Sequence, residues 1–184
     1  MTTFTICIDP GFVLEKGFGA FGVVVFKEEE GGKKTEIVFA KGYNLVEGTL
    51  LKAKRNEKFH DRICIKVEEI FLEVGRHLFK LEDEHHAKDV TIFVEHQMGE
   101  KKHGHDLVWL TGIVCGVAMM FQWTIAKLKR NMDCCRRLGI PVAKKDVTRE
   151  RKKRLTVKKV LELGYDLGKS PHLADAAILF LSDK

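Results

Sequence analysis

The order of the apolar patterns along the chain constrains its fold more than any other feature. Three segments rich in valine, isoleucine and phenylalanine, at residues 3–8, 20–26 and about 36–40, predict the strands of a meander. From about residue 54 to 81, apolar residues recur at steps of three and four, which predicts a helix with one apolar face. A buried-type strand at 90–94 predicts that the chain then returns to the sheet.

The second half of the chain predicts helices around one more strand. Residues 107–126 are twenty residues without a charge and predict an apolar helix. A strand is predicted at about 140–142, then a basic helix with Thr148 as its N-cap, then a last helix from Pro171 to about residue 182. This order indicates an α/β fold with a mixed sheet, and the length of 184 residues suits a single domain spanning 1–184.

The apolar segment at 107–126 admits two interpretations. Its length would allow it to cross a bilayer, and Gly112 and Gly116 form a G-x-x-x-G pattern that is common in membrane helices. The segment also contains Gln122 and two tryptophans, and no second apolar segment of this length follows. We therefore expect no membrane partner and favour a core or dimer-interface helix, in which the small residues let a second copy approach closely.

Three acidic residues far apart in the sequence stand where strands end or a helix begins. Asp9 follows the first predicted strand and Glu95 follows the fourth, while Asp175 lies one turn into the last helix. His172 precedes Asp175 by three residues, so the two side chains share a helix face. Each residue alone has an ordinary explanation, as a turn residue, a solvated strand end or a partner of the helix dipole. Their joint placement predicts a shared site.

Carboxylates gathered at one place repel one another unless cations neutralise them. Oxygen ligands favour Mg²⁺, for which Mn²⁺ can substitute, over zinc. We expect two ions, one to activate water and one to stabilise the leaving 3′ oxygen during in-line attack on a phosphodiester, and no small-molecule cofactor. The predicted catalytic residues and metal ligands are Asp9, Glu95, His172 and Asp175.

In these motifs the chain resembles the RuvC-type Holliday junction resolvases, and the resemblance covers almost its whole length. It extends to the poxvirus resolvases, whose basic segment before the last helix is similar to residues 149–154. The motifs that carry the resemblance are Ile8-Asp9-Pro10-Gly11 with Gly19 and the valines at 23–25, then Val94-Glu95, then His172-Leu173-Ala174-Asp175-Ala176.

The resemblance implies a ribonuclease H-like fold, with a mixed five-stranded sheet flanked by helices. It also implies a homodimer that cuts two opposed strands of a four-way DNA junction symmetrically. Asp9, Glu95 and Asp175 would be metal ligands, and His172 would take the fourth position, where family members have Asp or His. A histidine there carries less negative charge, which predicts weaker binding of one metal ion. Met98 stands where bacterial members often place an aromatic residue near the opened centre of the junction.

Positive charge is concentrated in one stretch of the sequence. Residues 144–159 contain nine Lys or Arg and two Asp or Glu, a local charge of +7, while the whole chain carries +6. Such a concentration indicates phosphate contacts, although a solvated face or a nuclear targeting patch is the alternative. The predicted DNA-contacting residues are Lys101, Lys102, Lys144, Lys145, Arg149, Arg151, Lys152, Lys153 and Arg154.

Cysteine usage and the start of the chain bear on its compartment. The five cysteines lie mostly among apolar neighbours and predict reduced thiols, and the first residues lack the pattern of a secretory signal. We therefore expect an intracellular protein. Two functions compete with junction resolution: a related ribonuclease H-like nuclease acting on other branched DNA or structured RNA, and a junction-binding protein that does not cut.

Overall fold

Five strands form one mixed sheet in the computed structural model, which describes residues 2–13, 18–29, 34–45, 57–81, 90–96, 104–142 and 147–184. The strands are β1 (Thr3–Val13), β2 (Phe18–Glu28), β3 (Thr35–Asn44), β4 (Val90–Glu95) and β5 (Thr124–Lys129). They lie in the order β3-β2-β1-β4-β5, in which β1 is antiparallel to β2 and parallel to β4. The mixed five-stranded α/β sheet predicted from the sequence is confirmed.

Helices cover both faces of this sheet. The helices are α1 (Glu57–Leu81), α2 (Gly104–Met120), α3 (Asn131–Arg137), α4 (Arg149–Glu162) and α5 (Pro171–Leu181). Successive strand residues point to opposite faces, so Ile6 and Ile8 of β1 join one core with α1 and α2, while Cys7 joins the other core with α3, α4 and α5. The central strand β1 is therefore buried on both faces, as its apolar run predicts.

The first strand is longer than the sequence predicts, because Asp9-Pro10-Gly11 is not a turn. Its parallel pairing with β4 ends at the pair Ile8–Val94, but its antiparallel pairing with β2 continues to Val13. Pro10 is tolerated here because, beyond Ile8, β1 has a strand partner on one side only, so a missing N–H costs little pairing.

The helix predicted at 107–126 is too long, and the strand predicted at 140–142 is wrong. Helix α2 ends at Met120, and Gln122 adopts a left-handed backbone conformation, with φ of 59°. The chain then forms β5, which pairs with β4 at the edge of the sheet and is the fifth strand of the fold. Among the described residues, no helix is long and apolar enough to cross a membrane.

Candidate active site

Asp9 and Glu95 lie side by side on the two central parallel strands. The register pairs Ile8 of β1 with Val94 of β4, so the next residue on each strand is one of the two acids. Both carboxylates are buried, at 4% and 6% exposure. The convergence of these two residues, expected from their positions after neighbouring strands, is present in the structure.

Burial gives the two carboxyl groups unusual proton affinities. Desolvation, reinforced by the charge of Asp175, raises the pKa of Asp9 to about 7, although a hydrogen bond with Glu95 and the charges of Lys153 and Lys152 oppose the rise. The pKa of Glu95 is also raised well above its ordinary value, by burial first and then by the charge of Asp9. A hydrogen bond between two carboxyl groups needs a proton, so without a cation this pair retains one near neutral pH.

The start of α5 brings two more candidate residues to the same place. Ser170 caps the helix by accepting a hydrogen bond from the Leu173 backbone N–H, and Pro171 occupies its first turn. In that turn, Nδ1 of His172 lies 2.9 Å from Oδ2 of Asp9. Asp175, one turn later, is 7% exposed, and its charge raises the pKa values of Asp9 and Glu95. The structure therefore brings all four sequence-predicted site residues together.

His172 is held in its neutral form by its surroundings. Burial lowers its pKa first, and the charges of Lys153 and Arg149 lower it further, against the opposing effects of Asp175 and Glu95. A neutral imidazole is the form that can ligate a metal ion.

Two glycines allow α5 to approach the sheet this closely. A Cβ on Gly22 of β2 would lie 2.5 Å from the backbone oxygen of His172, and one on Gly11 of β1 would lie 3.0 Å from the His172 ring. Any larger side chain at Gly22 would therefore push His172 away from Asp9. This role of Gly22 could not be predicted from the sequence, because the contact joins residues 150 positions apart.

Asn131, the first residue of α3, is a site residue that the sequence did not indicate. Its side chain is buried and donates a hydrogen bond from Nδ2 to Oδ1 of Asp175, at 3.0 Å. Its Oδ1 accepts from Nζ of Lys152, at 2.5 Å. Helix α3 is only seven residues long and was not predicted.

The basic helix α4 lies beside the acidic residues. Its N-cap is Thr148, as predicted, with Oγ1 accepting from the Arg151 backbone N–H. The half-buried Lys152 and Lys153 are close enough to lower the pKa of Asp9. Arg149, Arg151 and Arg154 are exposed. Four of the predicted DNA-contacting residues lie outside the described residues, namely Lys101, Lys102, Lys144 and Lys145. Met98 lies outside them as well.

The donor chemistry of the site fits a hard divalent cation, although the side chains are not arranged around one. Among the described residues, no group of three or more His, Cys, Asp or Glu side chains is disposed to hold a metal ion. Oδ2 of Asp9 is in contact with His172, and Oδ1 of Asp175 with Asn131. Three buried carboxyl groups, two of them with raised pKa values, are nevertheless the groups that a cation would stabilise in their ionised form.

Two solved structures resemble the whole chain. RuvC of Thermus thermophilus superposes with a TM-score of 0.58 at 19% identity, covering 98% of this chain and 92% of that one. The chain has the RuvC fold. T. thermophilus RuvC in complex with a Holliday junction substrate gives a TM-score of 0.59 at 17% identity, with the same coverage. No protein-family model matches the sequence, and no curated protein matches it significantly. The motif resemblance to RuvC is thus confirmed for the fold.

Proposed function

We propose that this protein is a Mg²⁺-dependent endonuclease that resolves four-way DNA junctions by paired, symmetric nicks. The observation that carries the proposal is the buried group of Asp9, Glu95 and Asp175, with His172, on a RuvC fold and beside a basic helix. One of the two similar RuvC structures is bound to a Holliday junction substrate, which supports branched DNA as the substrate class.

The four site residues would hold two metal ions. Asp9 and Glu95 stand on rigid central strands, and Asp175 and His172 stand on the capped first turns of α5, so all four positions are fixed by the fold. Bound Mg²⁺, or Mn²⁺ in its place, would activate water and stabilise the leaving oxygen of the phosphodiester. The protein's own contribution is to keep these groups buried on fixed strands and a capped helix, and to keep His172 unprotonated.

The basic helix α4 would position the DNA backbone at these acids. Cations at a helix N-terminus oppose the helix dipole, and in α4 Arg149, Lys152 and Lys153 occupy that end. A phosphate beside them would offset this repulsion. Their proximity to the carboxyl groups supports phosphate contacts beside the proposed site of cleavage.

An exposed apolar face on α2 supports a homodimer. Val108, Met119 and Met120 are 43%, 69% and 72% exposed. Gly112 and Gly116 are exposed as well, with open space where a Cβ would stand. Small residues between exposed apolar ones allow the same helix of a second copy to pack closely in an isologous contact.

A synthetic four-way junction tests the proposed function directly. The wild type and Asp175→Asn are incubated with the junction and Mg²⁺, beside linear duplex and structured RNA of matched sequence, and nicks are mapped on all strands. We expect the wild type to nick two opposed strands at symmetric positions and to leave linear duplex intact. Asp175→Asn, which keeps the shape of the side chain, should bind the junction with wild-type affinity and cleave none of it.

Three results would contradict this proposal in different ways. Equal cleavage of linear duplex, or of RNA, would indicate a related nuclease of other specificity. Junction binding without cleavage by the wild type in Mg²⁺ or Mn²⁺ would indicate a binding protein. Undiminished cleavage by Asp175→Asn would show that the acidic group does not carry the chemistry.

A further inference from the structure

Asn131 joins the acidic site to the basic helix through one buried amide. Its Nδ2 donates to Asp175 on α5, at 3.0 Å, and its Oδ1 accepts from Lys152 on α4, at 2.5 Å. The same oxygen accepts a weaker hydrogen bond from Sγ of Cys135, at 3.4 Å, one turn further along α3. Asn131 is 7% exposed, so these contacts form largely away from water.

The chemistry of the neighbours determines the orientation of this amide. The ammonium of Lys152 offers only protons to Oδ1, and a carboxylate offers only lone pairs to Nδ2. Turning the amide over would set NH₂ against the ammonium of Lys152 and the carbonyl oxygen against the carboxylate of Asp175. Both contacts would become repulsive, so Asn131 has one favourable orientation and its partners are held with it.

We propose that Asn131 is a positioning residue for phosphodiester cleavage, which fixes the Asp175 carboxylate and holds the Lys152 ammonium beside it. This inference rests on the proposed nuclease function. The hydrogen bond from Nδ2 to Oδ1 of Asp175 sets the plane of the carboxylate that would ligate a metal ion. Asn131 touches neither metal nor DNA in this role and acts through its two partners.

The position of Asn131 at the start of α3 explains why this short helix bears on the site. Lys152 and Asp175 belong to different helices, and each has rotatable bonds of its own. The amide of Asn131 donates to Asp175 and accepts from Lys152, so it restrains the two side chains relative to each other. Mutating a residue that hydrogen-bonds to a metal ligand typically reduces activity or metal affinity by about 10- to 100-fold.

Cleavage kinetics on the four-way junction test the proposal with two variants. Asn131→Ala removes both contacts, and Asn131→Asp keeps the size and the acceptor for Lys152 but sets a carboxylate against Asp175. For both we expect kcat in Mg²⁺ to fall about 10- to 100-fold. KM, and junction binding without metal, should stay within about threefold, because positioning acts in the transition state and not in substrate binding.

Two control variants separate positioning from a loss of stability. Asp133→Asn breaks the exposed ion pair with Arg136 in the same helix, at 2.8 Å, and should leave kcat unchanged. Val160→Ala weakens the buried side of α4 without touching the amide, and should lower the melting temperature with kcat unchanged. If Asn131→Ala does not fold, the isosteric Asn131→Asp carries the kinetic comparison.

A readout independent of cleavage is the side-chain amide signal of Asn131 in ¹H–¹⁵N spectra. We expect slow exchange with solvent in the wild type and fast exchange in Asp175→Ala. An Asn131 amide that exchanges as a free amide in the wild type would overturn this proposal whatever the cleavage assay gives. If the wild type cleaves and Asn131→Ala keeps kcat within threefold, or raises KM alone, the Asn131 proposal fails and the nuclease proposal stands. If the wild type cleaves no junction, both fail.

Discussion

Replacing Asp9 by Asn should make the metal-free protein more stable while abolishing the proposed nuclease activity. Asparagine has the same shape, and its amide can still meet His172 and Glu95, so the packing around β1 is retained. The substitution removes one negative charge from a buried group of three carboxyl groups. Stability and proposed function are thus expected to change in opposite directions at one position.

The size of the effect follows from the raised pKa of Asp9. Its ordinary value is 3.8 and burial raises it to about 7. At about 1.4 kcal/mol for each tenfold change in the proton equilibrium, ionising Asp9 in the folded protein costs about 4 kcal/mol. For a chain of 184 residues this corresponds to a difference of roughly 8–16 °C in melting temperature.

The sign of the pH dependence is opposite to that of an ordinary salt-bridged aspartate. Between about pH 4 and pH 7 the folded protein keeps a proton on Asp9 that the unfolded chain has already released. The free energy of unfolding therefore falls as the pH rises through this window, and the loss is complete above pH 7. Glu95 acts in the same direction, because its pKa is raised as well.

Urea unfolding in EDTA at pH 5 and pH 8 measures these differences. The wild type should lose about 3 kcal/mol between the two conditions because of Asp9, since only about two of the three pH units between its two pKa values lie above pH 5, and Asp9→Asn should lose correspondingly less. Mg²⁺ at about 100 times its Kd should restore about 3 kcal/mol to the wild type at pH 8 and little to the variant, which lacks a ligand. Asp133→Asn, an exposed aspartate in an ion pair, serves as the matched control.

Two outcomes would refute this reasoning. If the wild type in EDTA were equally stable at pH 5 and pH 8, burial would not be raising the pKa of Asp9. If Asp9→Asn were less stable than the wild type at pH 8, the charge would be compensated in the folded protein by its cationic neighbours, and the acidic group would not need a metal ion.

Three further predictions concern the close approach of α5, the basic helix and the dimer. Gly22→Ala should destabilise the protein by about 1–3 kcal/mol in chemical denaturation, because its Cβ would lie 2.5 Å from the His172 oxygen. Gly42→Ala, with open space around it, should change stability by under about 0.5 kcal/mol, and equal effects would contradict the packing argument. Lys153→Ala should reduce the log–log salt slope of junction binding by about 1 in gel shifts, and an unchanged slope would exclude a phosphate contact. Gly116→Glu should convert a dimer to a monomer in light scattering, and a monomeric wild type would contradict the homodimer.

Local patterns in the sequence were sufficient to predict most of the framework of this protein. Alternating and continuous apolar runs located β1 to β4, and the three- to four-residue period located α1, because these periods follow from backbone geometry alone. The N-cap Thr148 located the start of α4 and the first-turn Pro171 that of α5 for the same reason, since both act on the backbone within one turn. The order of Asp9, Glu95, His172 and Asp175 on these elements was then enough to predict that they meet.

Tertiary structure decided what depends on partners distant in sequence. A run of twenty uncharged residues cannot reveal where α2 ends and β5 begins, because that boundary is set by the pairing of β5 with β4. The raised pKa of Asp9 and the need for glycine at position 22 arise from burial and close approach, which no local pattern encodes. Asn131 reaches Asp175 across 44 residues, and only the packing of α3 against α5 makes that amide part of the site.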